Sequence, residues 1–584
     1  MAKNGKTHAA IAPRQVKRAG KARAEGAPIN FIRPPDGITS GYSAHGASWF
    51  NNSMKGWLAR PNSPIDDVFF SIETLRGRSR DLYESNAIAA AIIDATVLYV
   101  IGTGLQSLPD VDGEVLGITE DEADTLNDQI RKEFNVWGSS PNCDFYRRQN
   151  LPQLQEMALR TMLLSGDCPT IPTYLDEPGV EYKLVLRMLE SDRVCNPLYY
   201  NWERPIYSGV ETNEAGRVVA YHIKQIHPYQ GVINATILKN LYSWIRIEAY
   251  GEETGRPNVL LLAEFKRPEQ PRGVPILAHV LEILKDSDRF MKAAISAEEV
   301  AAKFVMAITS QFPNQDFLNT LSDDERKLLH SLKDYEVPIE GQNKAVFLKP
   351  GDTMTMLNAS RANSNFDSLT SATAKFIGAG VGMPYDILLA TFSGNFSASR
   401  GSVLRWGKRV NYLRNLICSQ LLNPIYSEWM SEAVAIGKLS LPGYFDDGRK
   451  RLAYERCEWS GTGMGALAPG EEVKAARDRI STLITNVEEE TLAYDGSSFR
   501  RNMKRLKKEL EICKEVGVSH PAVAEPAKVH QTFTDSISDE DASSVTDNEE
   551  KAADSEERET SNLMVRRTLN YHEEPAPGET LIFG

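Results

Sequence analysis

NSNFDSLTSATAKFIGAGVGMPYDILLATFSGNFSASRGSVLRWGKRVNYLRNLICSQLLNPIYSEWM, residues 363–430, decides the fold because it predicts a helix, a loop and a longer helix. The first helix has a stripe of residues spaced by three or four, which indicates one buried side: Phe366, Leu369, Thr373, Phe376, Ile377 and Val381. Three glycines and Pro384 predict that this helix ends near residue 383. The second helix has a continuous apolar seam, formed by Val403, Trp406, Val410, Leu413, Ile417, Leu421, Ile425 and Trp429. Pro424 lies inside the seam and predicts a kink.

Length and composition describe an ordinary globular chain with room for two or more cores. It has 584 residues, of which 41% are hydrophobic and 25% charged, and its net charge is −13. Such an acidic chain is not a basic nucleic-acid binder of the usual kind. The six cysteines form no Cys-x-x-Cys pair, so we expect free thiols in a reducing compartment. The most apolar run, 87–102, contains Asp94 and is short for a membrane span, so no membrane association is expected.

The remainder predicts an α+β, predominantly helical chain. Residues 55–270 indicate a mixed α/β domain, with helices at 75–98, 119–137 and 150–165, strands at 182–189 and 217–223, and a turn at 213–216. A second long helical tract covers 273–309, with Pro275 in its first turn and a possible break at the capping pattern Ser296-x-x-Glu299. A short helix near 322–333, strand-like residues at 345–348 and helices over 470–516 complete the prediction.

Both ends of the chain have the composition of disordered segments. Residues 1–28 are basic, with no acid before Glu25, and the chain from about residue 522 onward is acidic and rich in serine. The basic arm either contacts an acidic partner such as nucleic acid or only aids solubility, and the residues leave both readings open.

The sequence carries no pattern of an enzyme. The nearest string to a phosphate-binding loop runs from Gly401 to Lys408, but it has the wrong spacing and lies inside a predicted helix. His222 and His227 fit neither zinc-protease nor zinc-finger spacing. We therefore expect no catalytic residues, no metal and no cofactor.

The segment GVGMPYDILLATFSGNFSASRGSVLRW, residues 380–406, resembles the corresponding segment of tailed-bacteriophage portal proteins of the lambda family. In that family a Gly-x-Pro-x-x-Leu-Leu turn leads into a Ser/Asn-rich loop and a Ser-x-Arg helix start. Further blocks resemble the family in its order, over roughly residues 55–520: RDLYESNAIAAAIIDATVLYVIGTGLQS (80–107), LRTMLLSGD (159–167), LESDRV (189–194), GVETNEAGRVVAYHI (209–223), RGVPILAHVLEILKDSDRFMKAAISAEEVAAK (272–303) and FLKPGD (347–352).

The resemblance implies a portal fold with a mixed α/β wing, a two-helix stem, a small α/β clip, a long kinked wing helix, C-terminal helices and disordered termini. The implied segments are a basic arm 1–54, wing 55–272, first stem helix 273–309, clip 310–362, second stem helix 363–383, tunnel loop 384–399, long kinked wing helix and following segment 400–460, C-terminal helical region 461–520 and acidic tail 521–584.

The function implied is a ring, expected to have twelve copies, through which double-stranded DNA is packaged into and ejected from a capsid. Implied partners are the terminase large subunit, capsid and scaffold proteins, and head-completion or tail connector proteins. The implied location of the protein is the portal vertex of the virion, and the implied place of assembly is the host cytoplasm. Candidate residues facing DNA are Thr391, Ser393, Asn395, Ser397, Ser399 and Arg400. The alternatives are that 391–399 is only an exposed connection, and that the chain is another ring-forming head–tail component or, less well supported, a nuclease.

Overall fold

The structure is a computed structural model. It describes residues 61–198, 205–231, 242–303, 306–310, 366–391, 396–463 and 469–520, with short pieces between 53 and 59 and between 322 and 356. The predicted basic arm 1–54 apart from Ser53, the acidic tail 521–584 and most of the predicted clip 310–362 lie outside the described residues. The same holds for most of the helix predicted near 322–333 and for 346–348 of the predicted strand.

The chain divides into two compact units. The first contains the described residues up to Val100 and from Pro109 to Cys457, and the second contains Ile101–Leu108 and the described residues from Glu458 onward. No helix among the described residues is both long enough and apolar enough to cross a bilayer.

Helices of very different length make up most of the described chain. They are α1 (Pro64–Phe69), α2 (Ile72–Ser85), α3 (Ala87–Val100), α4 (Gly113–Leu116), α5 (Glu120–Ser139), α6 (Leu151–Ser165), α7 (Leu281–Lys303), α8 (Phe366–Val381), α9 (Tyr385–Leu388), α10 (Phe396–Ile417), α11 (Asn423–Ala435), α12 (Gly448–Tyr454), α13 (Pro469–Ser481), α14 (Val487–Asp495) and α15 (Phe499–Val516). Their number and position agree with a predominantly helical α+β chain.

The strands are short. They are β1 (Gln106–Pro109), β2 (Asp167–Tyr174), β3 (Leu184–Met188), β4 (Ile206–Tyr207), β5 (Val210–Thr212), β6 (Val218–Lys224), β7 (Trp244–Glu248), β8 (Leu260–Ala263), β9 (Met306–Ser310), β10 (Val337–Pro338), β11 (Lys344–Ala345), β12 (Asp352–Met356) and β13 (Cys457–Ser460). One antiparallel sheet has the order β3-β2-β8, and a four-stranded antiparallel sheet has the order β4-β5-β6-β7.

Several local predictions are confirmed. The capping box at Thr119 is present at the start of α5, where the hydroxyl accepts from the amide of Glu122 and the Glu122 carboxylate accepts from the amide of Thr119. Strand β3 lies inside the predicted segment 182–189, and β6 matches the predicted segment 217–223 with its bounds shifted by one residue. The turn before β6 is closed by a hydrogen bond from the amide of Gly216, at φ +80°, to the carbonyl of Asn213.

The long apolar seam is also confirmed, since seven of its eight residues, from Trp406 to Trp429, are buried and only Val403 is half-buried. A π-helical turn, Cys418–Leu422, lies directly before Pro424, where the sequence predicted a kink. Proline has no amide hydrogen and its ring displaces the preceding turn, so the wider π turn lets α10 and α11 continue as one rod.

The helix predicted at 75–98 is two helices. Asn86 separates α2 from α3 because its backbone is extended, at φ −122° and ψ 120°. Its side-chain oxygen accepts hydrogen bonds from the amides of Ile88 and Ala89, each at 3.0 Å. Asn86 therefore acts as an N-cap, and the chain restarts a helix at a new angle.

The helical tract predicted over 273–309 was too long at both ends. Pro275 begins a 3-10 turn, Ile276–His279, and α7 starts only at Leu281. At the other end, Met306–Ser310 is a strand paired with β12. A short apolar run fits a strand as well as a helix, and here the pairing with β12 selects the strand. The break considered at Ser296 does not occur, since α7 is continuous through it.

Candidate functional site

The predicted tunnel loop is shorter in the structure than in the sequence prediction. Thr391 is exposed and follows α9, whereas Ser393 and Asn395 lie outside the described residues. Helix α10 begins at Phe396, so Ser397, Ser399 and Arg400 belong to its first turns. Ser399 is buried, which corrects its placement on an open loop, and Arg400 is exposed.

The turn that leads to this loop is built on glycines. Gly382 ends α8 in the left-handed conformation, at φ +76°, and the amide of Met383 donates to the carbonyl of Gly378 at 2.8 Å. A Cβ on Gly378 would lie 2.6 Å from the oxygen of Met383, so a larger residue there would block the reversal of the chain. The glycines were predicted only to end the helix, but Gly378 also permits the close approach of the Met383 backbone.

Helices α7 and α8, the predicted stem helices, lie side by side. A Cβ on Gly380 would lie 2.5 Å from Cγ1 of Val280, which shows how closely α8 approaches the base of α7. Farther along, the rings of Phe290 and Phe366 stack with centroids 5.7 Å apart.

The same two helices expose large apolar side chains. The exposed fractions are 70% for Phe376, 56% for Ile295 and 48% for Leu369. Leu369 and Phe376 belong to the stripe predicted to be buried, and within one chain they are not. Of the side chains described from Lys285 to Glu299, none is buried. These helices therefore leave much of their apolar surface without cover in a single chain.

A buried ionic network holds the start of this helical pair. Arg272, which is fully buried, directly precedes Gly273 and the 3-10 turn before α7. It binds the carboxylate of Asp167 with two hydrogen bonds, from Nε and Nη2, both at 2.7 Å. Its remaining N–H groups donate to the carbonyl oxygens of Val194, Ser208 and Ser191 at 2.7, 2.7 and 2.9 Å. The five donors of the guanidinium group thus all have acceptors, which is the condition for burying it at low cost.

Asp167 is equally enclosed. Besides Arg272 it accepts from Arg76 Nη2, at 3.1 and 3.2 Å, and from the amide of Gly273 at 3.2 Å. Burial acts to raise the pKa of Asp167, but Arg272 and Arg76 outweigh it and hold the pKa below the usual range. Burial lowers the pKa of Arg76 to about 10, against the opposing effect of Asp167. Asp167 and Arg76 therefore remain charged at neutral pH.

A second carboxylate extends the network. Asp192 lies 2.6 Å from Arg80 Nη1 and 3.4 Å from Arg76 Nη1. Burial acts to raise the pKa of Asp192, and Arg80 and Arg76 lower it overall. Arg80 is only partly buried, so the network reaches the surface of α2 at this point.

Two backbones cross beside the network. A Cβ on Gly273 would lie 1.8 Å from the oxygen of Gly166, and a Cβ on Gly166 would lie 2.4 Å from the oxygen of Gly273. Gly166 also has φ +93°, which other residues adopt only with strain. The crossing is therefore possible only with glycine at both positions.

The long helical rod formed by α10, the π turn and α11 is hydrogen-bonded to both edge strands of the β3-β2-β8 sheet. Gln420, in the π turn, accepts from the amide of Ala263 at 2.8 Å, where β8 ends. Glu432, in α11, accepts from the amides of Lys183 and Leu184 at 2.6 and 3.0 Å, where β3 begins. Arg409 adds a two-pronged pair with Glu264, at 2.9 and 3.0 Å. The rod that follows the predicted tunnel loop is thus anchored to a rigid sheet.

Sequence reasoning missed this network. Arg272 and Asp167 were part of quoted sequence blocks and Arg76 was not, and no local spacing relates the three residues. The one available signal was that the blocks at 159–167, 189–194 and 272–303 each carry charged residues beside glycine or a predicted strand. Across the described residues, no group of three or more His, Cys, Asp or Glu side chains is arranged to hold a metal ion.

Two sequence comparisons, one with a family model and one with a single protein, name the same kind of protein. The model "Phage portal protein, lambda family" matches residues 50–414. Portal protein B of Escherichia phage lambda is 23% identical over 522 residues, which cover 85% of this chain and 96% of that protein. Among solved structures, a neck of an empty GTA particle matches with a TM-score of 0.43 and 15% identity, and a native gene transfer agent virion with 0.39 and 14%. Each covers 72% of this chain and 93% of the other.

Proposed function

Since the chain belongs to the lambda family of phage portal proteins, we propose that it forms the ring-shaped channel through which double-stranded DNA enters and leaves the capsid. The match of the family model to residues 50–414 carries this proposal, because it spans the predicted wing, stem and tunnel loop together. In this role the protein is a structural component of the virion and a head–tail connector. ATP hydrolysis would belong to the partner terminase large subunit.

The exposed apolar side chains of α7 and α8 support assembly into a ring. On a lone stem, large apolar surface would be exposed to water, which is unfavourable. It belongs to Phe376, Ile295 and Leu369. In a closed ring each subunit would present them to its neighbours, which removes the apolar surface from water and makes the wall rigid. Twelve copies is the number implied by the family resemblance.

Replacing Phe376 by glutamate is expected to abolish the ring without unfolding the subunit. The side chain is 70% exposed, so a charge there costs little in one chain but would be buried between subunits in a ring. Light scattering and negative-stain images should show rings for the unchanged protein and subunits or small oligomers for Phe376→Glu. The matched control is Phe445→Glu, since Phe445 is 64% exposed outside the helical pair and should tolerate the charge. Rings that persist in Phe376→Glu would contradict the proposed packing.

We assign the chain around 391–395 to the wall of the channel, with Arg400 at the start of α10. Thr391, Ser393 and Asn395 are short and uncharged, so they exchange hydrogen bonds with water or phosphate without a lasting ionic contact. Each phosphate that a cation neutralises adds binding free energy through counterion release, which would slow a sliding duplex. Ser399 is left out of this proposal, since its side chain is buried within the single chain.

Adding cations to this loop is expected to slow packaging. The double variant Ser393→Lys, Asn395→Lys should still form rings but reduce the packaging rate by roughly threefold or more at low salt, with recovery as salt rises. Asn415→Lys is the control, because it adds a charge at an exposed position near the far end of α10, away from the loop. Packaging rates that are equal in the loop and control variants would argue that 391–395 is only a connection.

The remaining partners follow from the same proposal. The ring would bind the terminase large subunit during packaging, capsid and scaffold proteins during assembly, and head-completion or tail connector proteins afterwards. Assembly would occur in the host cytoplasm, before the ring becomes part of the virion's portal vertex.

A further inference from the structure

The last described helix, α15, has a strongly basic face that the portal role does not explain. Between residues 500 and 508 it carries six basic residues and no acidic one: Arg500, Arg501, Lys504, Arg505, Lys507 and Lys508. At 3.6 residues per turn their side chains fall within an arc of about 160°. Phe499, Leu506 and Leu510 lie on the opposite side, and α15 packs against α14.

All six basic side chains are exposed. The side chains of Arg505, Lys507 and Lys508 have no hydrogen bond or ion pair to another residue that the structure describes. The helix itself has no acidic residue in its first turn, where the amide of Arg500 donates to the carboxylate of Glu488 in α14 at 3.2 Å. Like charges so close together repel, so an anionic segment placed along this face would stabilise it.

The chain itself contains a matching anionic segment. Residues 535–559 hold eleven acidic and two basic residues, a net charge of −9. Only 18 residues, 517–534, separate this segment from the end of α15. An extended chain of that length spans about 60 Å, whereas α15 is only about 27 Å long, so the segment reaches every part of the basic face.

We propose that the acidic segment 535–559 docks on the basic face of α15 and keeps that face from binding DNA. The covalent connection gives the segment an effective concentration near the millimolar range, which favours it over a separate polyanion. A free basic face would hold the duplex by counterion release, and the tail removes that contact. The tail would then act as a built-in substitute for DNA phosphates.

Zero-length carbodiimide cross-linking of the full chain tests the contact directly, because it joins only amines and carboxylates that touch. Mass spectrometry should find links from Lys507 or Lys508 to carboxylates within 535–559, and these links should disappear at ~0.5 M salt. Lys474, an exposed lysine on α13 of the same unit, is the matched control and should give few such links. Tail links absent from Lys507 and Lys508, or equally frequent at Lys474, would overturn the proposal.

Binding of a short double-stranded DNA gives the second measurement. Neutralising the tail with Asp539→Asn, Glu540→Gln, Asp541→Asn, Glu549→Gln and Glu550→Gln should raise DNA affinity by roughly tenfold at low salt. Adding Arg505→Gln, Lys507→Gln and Lys508→Gln should remove this gain, whereas Lys474→Gln with Arg477→Gln should not. An unchanged affinity after neutralising the tail would overturn the proposal, and strong binding through the face in the unaltered chain would assign it to DNA instead. The cross-links do not depend on ring assembly, so their outcome is separate from that of the channel.

Discussion

Replacing Arg272 by methionine is expected to lower the free energy of unfolding by about 3–5 kcal/mol, because it leaves a buried carboxylate without its main partner. Asp167 would keep only Arg76 and backbone donors, and the carbonyl oxygens of Val194, Ser208 and Ser191 would each lose a hydrogen bond. The buried methionine fills part of the space of the arginine, so the expected loss of stability comes from the lost ionic and hydrogen bonds and not from a large cavity. Chemical unfolding of the assembled protein, followed by circular dichroism, measures the change.

The matched control is Arg456→Met. Arg456 also pairs with two carboxylates, Asp110 at 2.7 Å and Asp112 at 3.2 Å, but its side chain is 55% exposed. Solvent screens such pairs, so the expected change is below about 1 kcal/mol. A second variant, Arg272→Lys, keeps the charge but cannot make five hydrogen bonds, and should fall between the two. Equal effects of Arg272→Met and Arg456→Met would contradict the role given to the buried network.

Replacing Gly273 by alanine is expected to destabilise the fold by at least about 4 kcal/mol, so that little folded protein is recovered. The added Cβ would lie 1.8 Å from the backbone oxygen of Gly166. The amide of Gly273 donates to the carboxylate of Asp167, and Gly166 directly precedes Asp167 in the chain. Neither backbone segment can move away without breaking the ionic network around Asp167. Yield of folded protein and the thermal midpoint are the measurements.

Gly77→Ala is the control for this substitution. Gly77 lies in α2 beside Arg76, and a Cβ there meets nothing within 4 Å. Because alanine favours a helix over glycine, this variant should be more stable by roughly 0.5–1 kcal/mol. The two substitutions therefore have opposite expected signs. A tolerated Gly273→Ala would show that the two backbones are farther apart in solution.

Both predictions concern residues inside sequence blocks that resemble the family. Asp167, Asp192 and Arg272 come from three separate blocks and meet at one network. The network fixes the start of the α7 helical pair against β2, so the predicted stem has a rigid base. Such a base is what the proposed channel needs, because the ring must keep its shape while DNA passes.

The sequence by itself determined the features that depend on neighbours along the chain. The spacing of the seam from Trp406 to Trp429 requires a helix with one buried side, and the structure buries those residues. The Thr119 capping box begins α5, and Gly382 ends α8, because these are local preferences of side chain and backbone.

Only the tertiary structure decided which distant groups meet. Arg272 and Asp167 are 105 residues apart, and no local pattern relates them. Met306–Ser310 continued an apolar period and was predicted as helix, but its pairing with Asp352–Met356 makes it a strand. Ser399 was predicted on an open loop and is buried because α10 starts earlier and packs on the protein. In each case the deciding free energy comes from contacts between segments far apart in the chain, which local propensity does not contain.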